Sequence, residues 1–76
     1  MVSLSRIWLV AQGADLWWLG LLLVQKRVLE VILMGPAIVV GVKRRRAREA
    51  EKALHGPVQF FETREAAMGA VPSGVA

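Results

Sequence analysis

The feature that most constrains this 76-residue chain is an apolar region, residues 7–42, that is interrupted near its middle by charge. Its four charged residues are Asp15, Lys26, Arg27 and Glu30. A helix needs about 20 apolar residues to cross a bilayer, and the stretches on either side of the central charges approach that length. Hydrophobic residues make up 55% of the chain, which is high for an ordinary globular domain. The pattern predicts an all-α fold, that of a small membrane protein.

The distribution of apolar and charged residues divides the chain into three segments. Residues 1–42 are predicted to be an apolar, membrane-embedded helical region, with Gly35-Pro36 as a kink because proline removes a helix hydrogen bond. Residues 43–56 are predicted to be a short basic amphipathic helix. Residues 57–76 are predicted to hold a short helical segment and a flexible tail.

The apolar region allows three layouts. In a helical hairpin, Leu4–Val24 and Val28–Val42 pair across a turn at residues 25–27. In the second layout, one long kinked helix runs from Leu16 to about Leu54. Asp15 is a candidate N-cap for a helix starting at Leu16, and an intramembrane carboxylate that binds an ion or proton is the alternative. In the third, Leu4–Val24 is the single span and the next apolar segment lies against another subunit.

The central polar group is predicted to mark a turn or an assembly contact. An unpaired charge in the middle of a bilayer costs about 2.5–3.5 kcal/mol, so a lone lipid-bathed helix through this group is disfavoured. On a continuous helix, Glu30 would lie within reach of Lys26 and Arg27. The candidate turn or assembly residues are Gln25, Lys26, Arg27 and Glu30.

A basic cluster follows the apolar region directly. The net charge is +4, and a cluster in this position is typical of a cytoplasmic membrane flank that contacts lipid headgroups. We therefore expect membrane lipid as a partner and no nucleic acid, with a basic adaptor of a ribonucleoprotein as a remote alternative. The residues are Lys43, Arg44, Arg45, Arg46 and Arg48.

The three tryptophans are candidate anchors at the membrane interface. Trp8, Trp17 and Trp18 combine an apolar ring with an N–H donor, which suits the headgroup region. Packing against a partner helix is the alternative interpretation.

No pattern of catalytic residues is evident. The chain has no cysteine and one histidine, and it contains no Gly-rich phosphate loop or Ser/His/Asp set. We expect no enzymatic activity, no cofactor and no metal site. The predicted partners are lipid and either further copies of the chain or larger membrane subunits.

The order of apolar helix, short basic connection and apolar helix over Leu4–Val42 resembles the layout of conjugation-type pilins. That resemblance implies a subunit of a lipid-containing extracellular filament, with residues 25–27 in the loop position. The leading expectation is a non-enzymatic structural or accessory subunit that is integral to the membrane and oligomeric. A pilin-like subunit and a holin-like permeabilising protein are the alternatives.

Overall fold

Two central strands account for much of the apolar sequence. In the computed structural model, which describes residues 6–71, β1 covers Arg6–Ala11 and β4 covers Ala37–Lys43. They pair antiparallel from Arg6↔Lys43 to Ala11↔Ile38, and nearly all of their side chains are buried. A strand that is covered on both faces has a continuous apolar sequence, which periodicity alone does not distinguish from a buried helix.

Two further strands complete a four-stranded antiparallel sheet. Strand β3, Glu30–Met34, pairs with β4, and strand β6, Gln59–Phe61, pairs with β1. The order across the sheet is β3-β4-β1-β6. A separate two-stranded ribbon joins β2, Gly13–Ala14, to β5, Leu54–His55.

Helices connect the strands of the sheet. Helix α1, Leu16–Val24, lies between β1 and β3 along the chain. A 3₁₀ turn at Arg44–Arg46 and helix α2, Ala47–Glu51, lie between β4 and β6, and helix α3, Arg64–Ala70, follows β6. This connectivity and strand order are those of the split β-α-β, or ferredoxin-like, topology, with α3 added at its C-terminal end.

The sheet is covered on both faces. Successive side chains of a strand point to opposite faces, and the core accordingly forms two clusters. On one face Leu9 and Val40 pack with residues of α1 and α2. On the other face Trp8 and Val39 pack with Ala67 of α3.

Gly35-Pro36 forms the two-residue turn of the β3–β4 hairpin, not a helix kink. The pair Met34↔Ala37 closes the turn, and Gly35 has φ +61. A two-residue hairpin turn with glycine at its first position is typical of type II′, in which the second position has the negative φ that proline requires.

The central polar group ends α1 and leads into β3. Lys26 N–H donates to Leu23 O at 3.0 Å and Arg27 N–H donates to Leu22 O at 2.8 Å. Together with the positive φ of Lys26, 62°, these bonds form a Schellman motif. The chain then enters β3 at Glu30.

These elements show that the predicted all-α fold is wrong. The protein is mixed α/β with an antiparallel sheet, and within residues 6–71 no helix is long and apolar enough to span a membrane. The predicted hairpin, long helix and single span all required such a helix. The functions and locations built on them, an integral membrane subunit, a pilin-like filament protein and a holin, are therefore also wrong.

The polar segments also differ from expectation. Residues 43–56, predicted as one basic helix, contain the end of β4, the 3₁₀ turn, α2 and β5. The segment after residue 56 holds β6 before its helix α3. The predicted helix start at Leu4 and most of the predicted flexible tail lie outside the described residues.

Candidate interaction surface on helix α1

Helix α1 begins where the sequence predicts a cap. The Asp15 carboxylate accepts a hydrogen bond from Trp18 N–H at 3.1 Å, which confirms Asp15 as the N-cap of a helix starting at Leu16. The Asp15 N–H donates to Ala53 O at 2.8 Å. This bond, next to the β2–β5 ribbon, fixes the start of α1 to the segment that follows α2.

Most of α1 is apolar but exposed. Of its nine residues, Leu19 and Leu22 are buried. Trp17 is 77% exposed, Val24 79% and Leu16 61%. We name the exposed apolar side chains of this helix the α1 apolar surface; its residues are Leu16, Trp17, Trp18, Leu21, Leu23 and Val24.

This surface has the properties of a docking site. Single exposed apolar side chains are normal on proteins, whereas a contiguous exposed apolar patch indicates an interaction site. No charged residue lies within Leu16–Val24. Gly20 lies among these residues, and a Cβ built on it would meet nothing within 4 Å, so another backbone can approach the helix closely there.

Opposite charges lie at the two ends of the α1 apolar surface. Asp15 is at its N-terminal end and Lys26 at its C-terminal end, both exposed. Within residues 6–71, no carboxylate lies within ion-pair distance of Lys26. The neighbouring Arg27 is paired with Glu49 at 2.5 Å, which ties the end of α1 to α2.

The structure separates the residues that the sequence groups together. Trp17 and Trp18 lie on the α1 apolar surface, whereas Trp8 lies under α3 and is 6% exposed. Gln25, Lys26 and Arg27 stay together at the end of α1. Glu30 lies on β3, where its carboxylate is 3.5 Å from Arg64 of α3.

Sequence reasoning missed four members of the surface, Leu16, Leu21, Leu23 and Val24. The sequence predicts a membrane-embedded position for each of them, because the stretch is apolar on every side. The available signal was that same property, since a short helix packed on one side of a sheet buries one stripe and must expose the rest.

The basic cluster lies at the end of β4, in the 3₁₀ turn and in α2. Arg44 is hydrogen-bonded to Glu62, and this bond holds the pKa of the Glu62 carboxyl below its ordinary value. Arg46 is 3.5 Å from Glu49. For Lys43, Arg45 and Arg48, the described part of the chain supplies no carboxylate within ion-pair distance.

The comparisons with known proteins add no relative. No protein family, no curated protein and no solved structure matches this sequence. Among residues 6–71 there is also no group of three or more His, Cys, Asp or Glu side chains able to hold a metal ion. The strand order and the exposed helix define the class of protein: a small split β-α-β domain with an apolar helical surface.

Proposed function

We propose that this chain is a non-enzymatic assembly domain that pairs with a second copy of itself through the α1 apolar surface. The observation that carries the proposal is the exposure of Leu16, Trp17 and Val24 on a helix whose sequence has no polar side. Covering these side chains removes apolar area from water, which is the main driving force for protein association.

The surface is large enough for a two-fold dimer. A fully exposed aromatic side chain presents about 150–250 Å², so six partly exposed side chains, two of them indoles, offer on the order of 600 Å² per copy. Two copies would together bury about 1,200 Å², at the lower end of the range for specific interfaces. A two-fold interface uses the same patch on both subunits, and an uncharged patch meets itself without repulsion.

The flanking charges favour an antiparallel pair of helices. Asp15 and Lys26 are separated by about 16 Å at a rise of roughly 1.5 Å per residue. In an antiparallel pair, Asp15 of each copy lies opposite Lys26 of the other, and Gly20 lies near the two-fold axis. A parallel pair would instead bring like charges together at both ends.

The test replaces Gly20 with a glutamate. The variant Gly20→Glu leaves the fold of the single chain undisturbed, because a Cβ at this position meets nothing and glycine is a poor helix residue. In the dimer it places an unpaired charge inside an apolar interface. Light scattering coupled to size exclusion should give twice the chain mass of 8.3 kDa for the wild type and the single-chain mass for the variant.

The matched control is Gly69→Glu. Gly69 also lies in a helix, α3, and a Cβ on it also meets nothing within 4 Å. This control should remain dimeric. A monomeric wild type at tens of micromolar, or equal masses for the two variants, would refute the proposal.

A further inference from the structure

An open cleft of about 570 Å³ lies between α2 and the edge strand β6. Ile7 and Phe60 both point to the sheet face that carries α2, because Phe60 pairs with Leu9 and alternate residues of β1 share a face. The cleft shares no residue with the α1 apolar surface. Its lining residues are Ile7, Arg44, Ala47, Arg48, Glu51, Lys52 and Phe60.

The polar wall of the cleft offers cations at helical spacing. Arg48 and Lys52 are four residues apart, so their side chains lie on one side of α2 and its end. Neither has a carboxylate of residues 6–71 within ion-pair distance, while Arg44 is already bonded to Glu62. The lining holds three basic residues and one acidic residue, Glu51, so its net charge is positive and suits a small anion. A guanidinium binds two oxygens of one phosphate or carboxylate at once.

The apolar wall of the cleft includes the phenyl ring of Phe60. Phe60 is 45% exposed although it lies on a strand of the sheet, and Ile7 beneath it is buried. An exposed phenyl face beside a cation is the arrangement on which a flat heterocycle stacks while its phosphate reaches the cation. The cleft volume lies within the range of about 300–1,000 Å³ that is usual for small-molecule sites.

We propose that this cleft binds a mononucleotide, with the phosphate on Arg48 and Lys52 and the base on Phe60. A small ligand fits better than a nucleic-acid strand, because a strand is bound by an extended track of free cations. The lining of this cleft offers two such cations, Arg48 and Lys52, because Arg44 is paired with Glu62.

Binding is measured by calorimetry and by ¹⁵N chemical shifts on the full chain at low salt. Adenosine monophosphate should bind, and adenosine and inorganic phosphate should each bind at least about tenfold more weakly, since each lacks one of the two contacts. Arg48→Gln should weaken the monophosphate about tenfold, because one charge-assisted contact is lost.

The matched control is Arg45→Gln, which removes the same charge from an exposed arginine outside the cleft and should leave affinity within about twofold. Phe60→Leu should remove the advantage of adenosine monophosphate over phosphate and leave phosphate binding unchanged. Dispersed amide spectra establish that each variant is folded.

Three outcomes would overturn the proposal. One is the absence of binding by adenosine monophosphate at millimolar concentration. Another is equal weakening by Arg45→Gln and Arg48→Gln, which would indicate attraction by net charge alone. The third is binding of an oligothymidylate that tightens with its length beyond the mononucleotide, which would identify a strand-binding surface.

Discussion

The indole ring of Trp8 lies directly on Gly41. The two residues are partners in the β1–β4 register, and a Cβ built on Gly41 would be 2.4 Å from Cζ3 of Trp8. Trp8 is thereby buried in the cluster under α3. Gly41 is also the partner of Glu30 on β3, so this close approach lies at the centre of the sheet.

Gly41→Ala should lower the free energy of unfolding by about 1–3 kcal/mol, because the added methyl group overlaps a ring that is packed on its other side. Urea unfolding at one fixed protein concentration measures the change, since self-association would add a concentration-dependent contribution. Gly69→Ala, at a helical site with open space, should be neutral or slightly stabilising.

A double-mutant cycle checks the assignment of this cost to the ring. In the Trp8→Leu background the indole is absent, so Gly41→Ala should cost less than it does in the wild type. An unchanged cost in both backgrounds would show that the ring is not the group that meets residue 41.

Lys26→Gly should raise the free energy of unfolding by about 0.5–1 kcal/mol. Lys26 has φ 62, a left-handed conformation that costs an L-residue roughly 1–2 kcal/mol and costs glycine little. The adjacent Gln25→Gly is the control: Gln25 has φ −81, so glycine there should destabilise. Thermal unfolding of both variants is compared in the Gly20→Glu background, because Lys26 also lies at the end of the proposed interface and self-association would add to the measured stability. A loss of stability at both positions would contradict the Schellman assignment.

Arg44→Gln should raise the pKa of Glu62 toward its ordinary value. The pKa is lowered mainly by the side-chain hydrogen bond from Arg44, against partial desolvation, with the guanidinium charge adding to the effect. Because the folded-state pKa is the lower one, the pair contributes stability above the ordinary glutamate range and loses it as pH falls through the lowered pKa.

Carboxyl ¹³C titration of Glu62 measures this shift directly. Both side chains are exposed to solvent, so the associated change in stability should be small. Arg45→Gln should leave the Glu62 titration unchanged. An identical titration of Glu62 with and without Arg44 would mean that the pair does not persist in solution.

Local signals in the sequence identify part of this fold. Asp15 before Leu16 correctly marks the start of α1, because a carboxylate cap depends on near neighbours alone. The end of the helix at Gln25–Arg27 is marked by its polar residues. Residues 37–42 are rich in β-branched side chains, namely Ile38, Val39, Val40 and Val42, a signal that favours a strand.

The remaining features depend on contacts distant in sequence. A run buried on both faces of a sheet has the same pattern as a buried helix, so the sequence alone predicts a helix kink at Gly35-Pro36, where the structure has a hairpin turn. The partners of Arg27 and Glu30 are Glu49 and Arg64, which lie too far along the chain for helical spacing to indicate. The cleft beside Phe60 likewise exists only once β6 pairs with β1.

Lys26→Glu should weaken self-association about fivefold, because it would place like charges opposite each other at both ends of an antiparallel pair. Adding Asp15→Asn should restore part of the affinity, since asparagine keeps the N-cap while removing the charge. Lys43→Glu makes the same charge change on the face of the sheet that carries α3, and should have little effect. Sedimentation velocity measures the self-association of all three variants. Stronger association of Lys26→Glu than of the wild type would contradict the antiparallel arrangement.

The most direct test of the α1 interface is cross-linking through a single introduced cysteine. The chain has no cysteine of its own, and a disulfide forms when two Cα atoms come within about 4.4–6.8 Å. In the proposed dimer Gly20 lies near the two-fold axis, so Gly20→Cys should convert to a covalent dimer under mild oxidation at micromolar concentration. Gly69→Cys, on α3, should form no covalent dimer on non-reducing gels over the same time. Equal rates of cross-linking for the two variants, or none for Gly20→Cys, would contradict self-association through the α1 apolar surface.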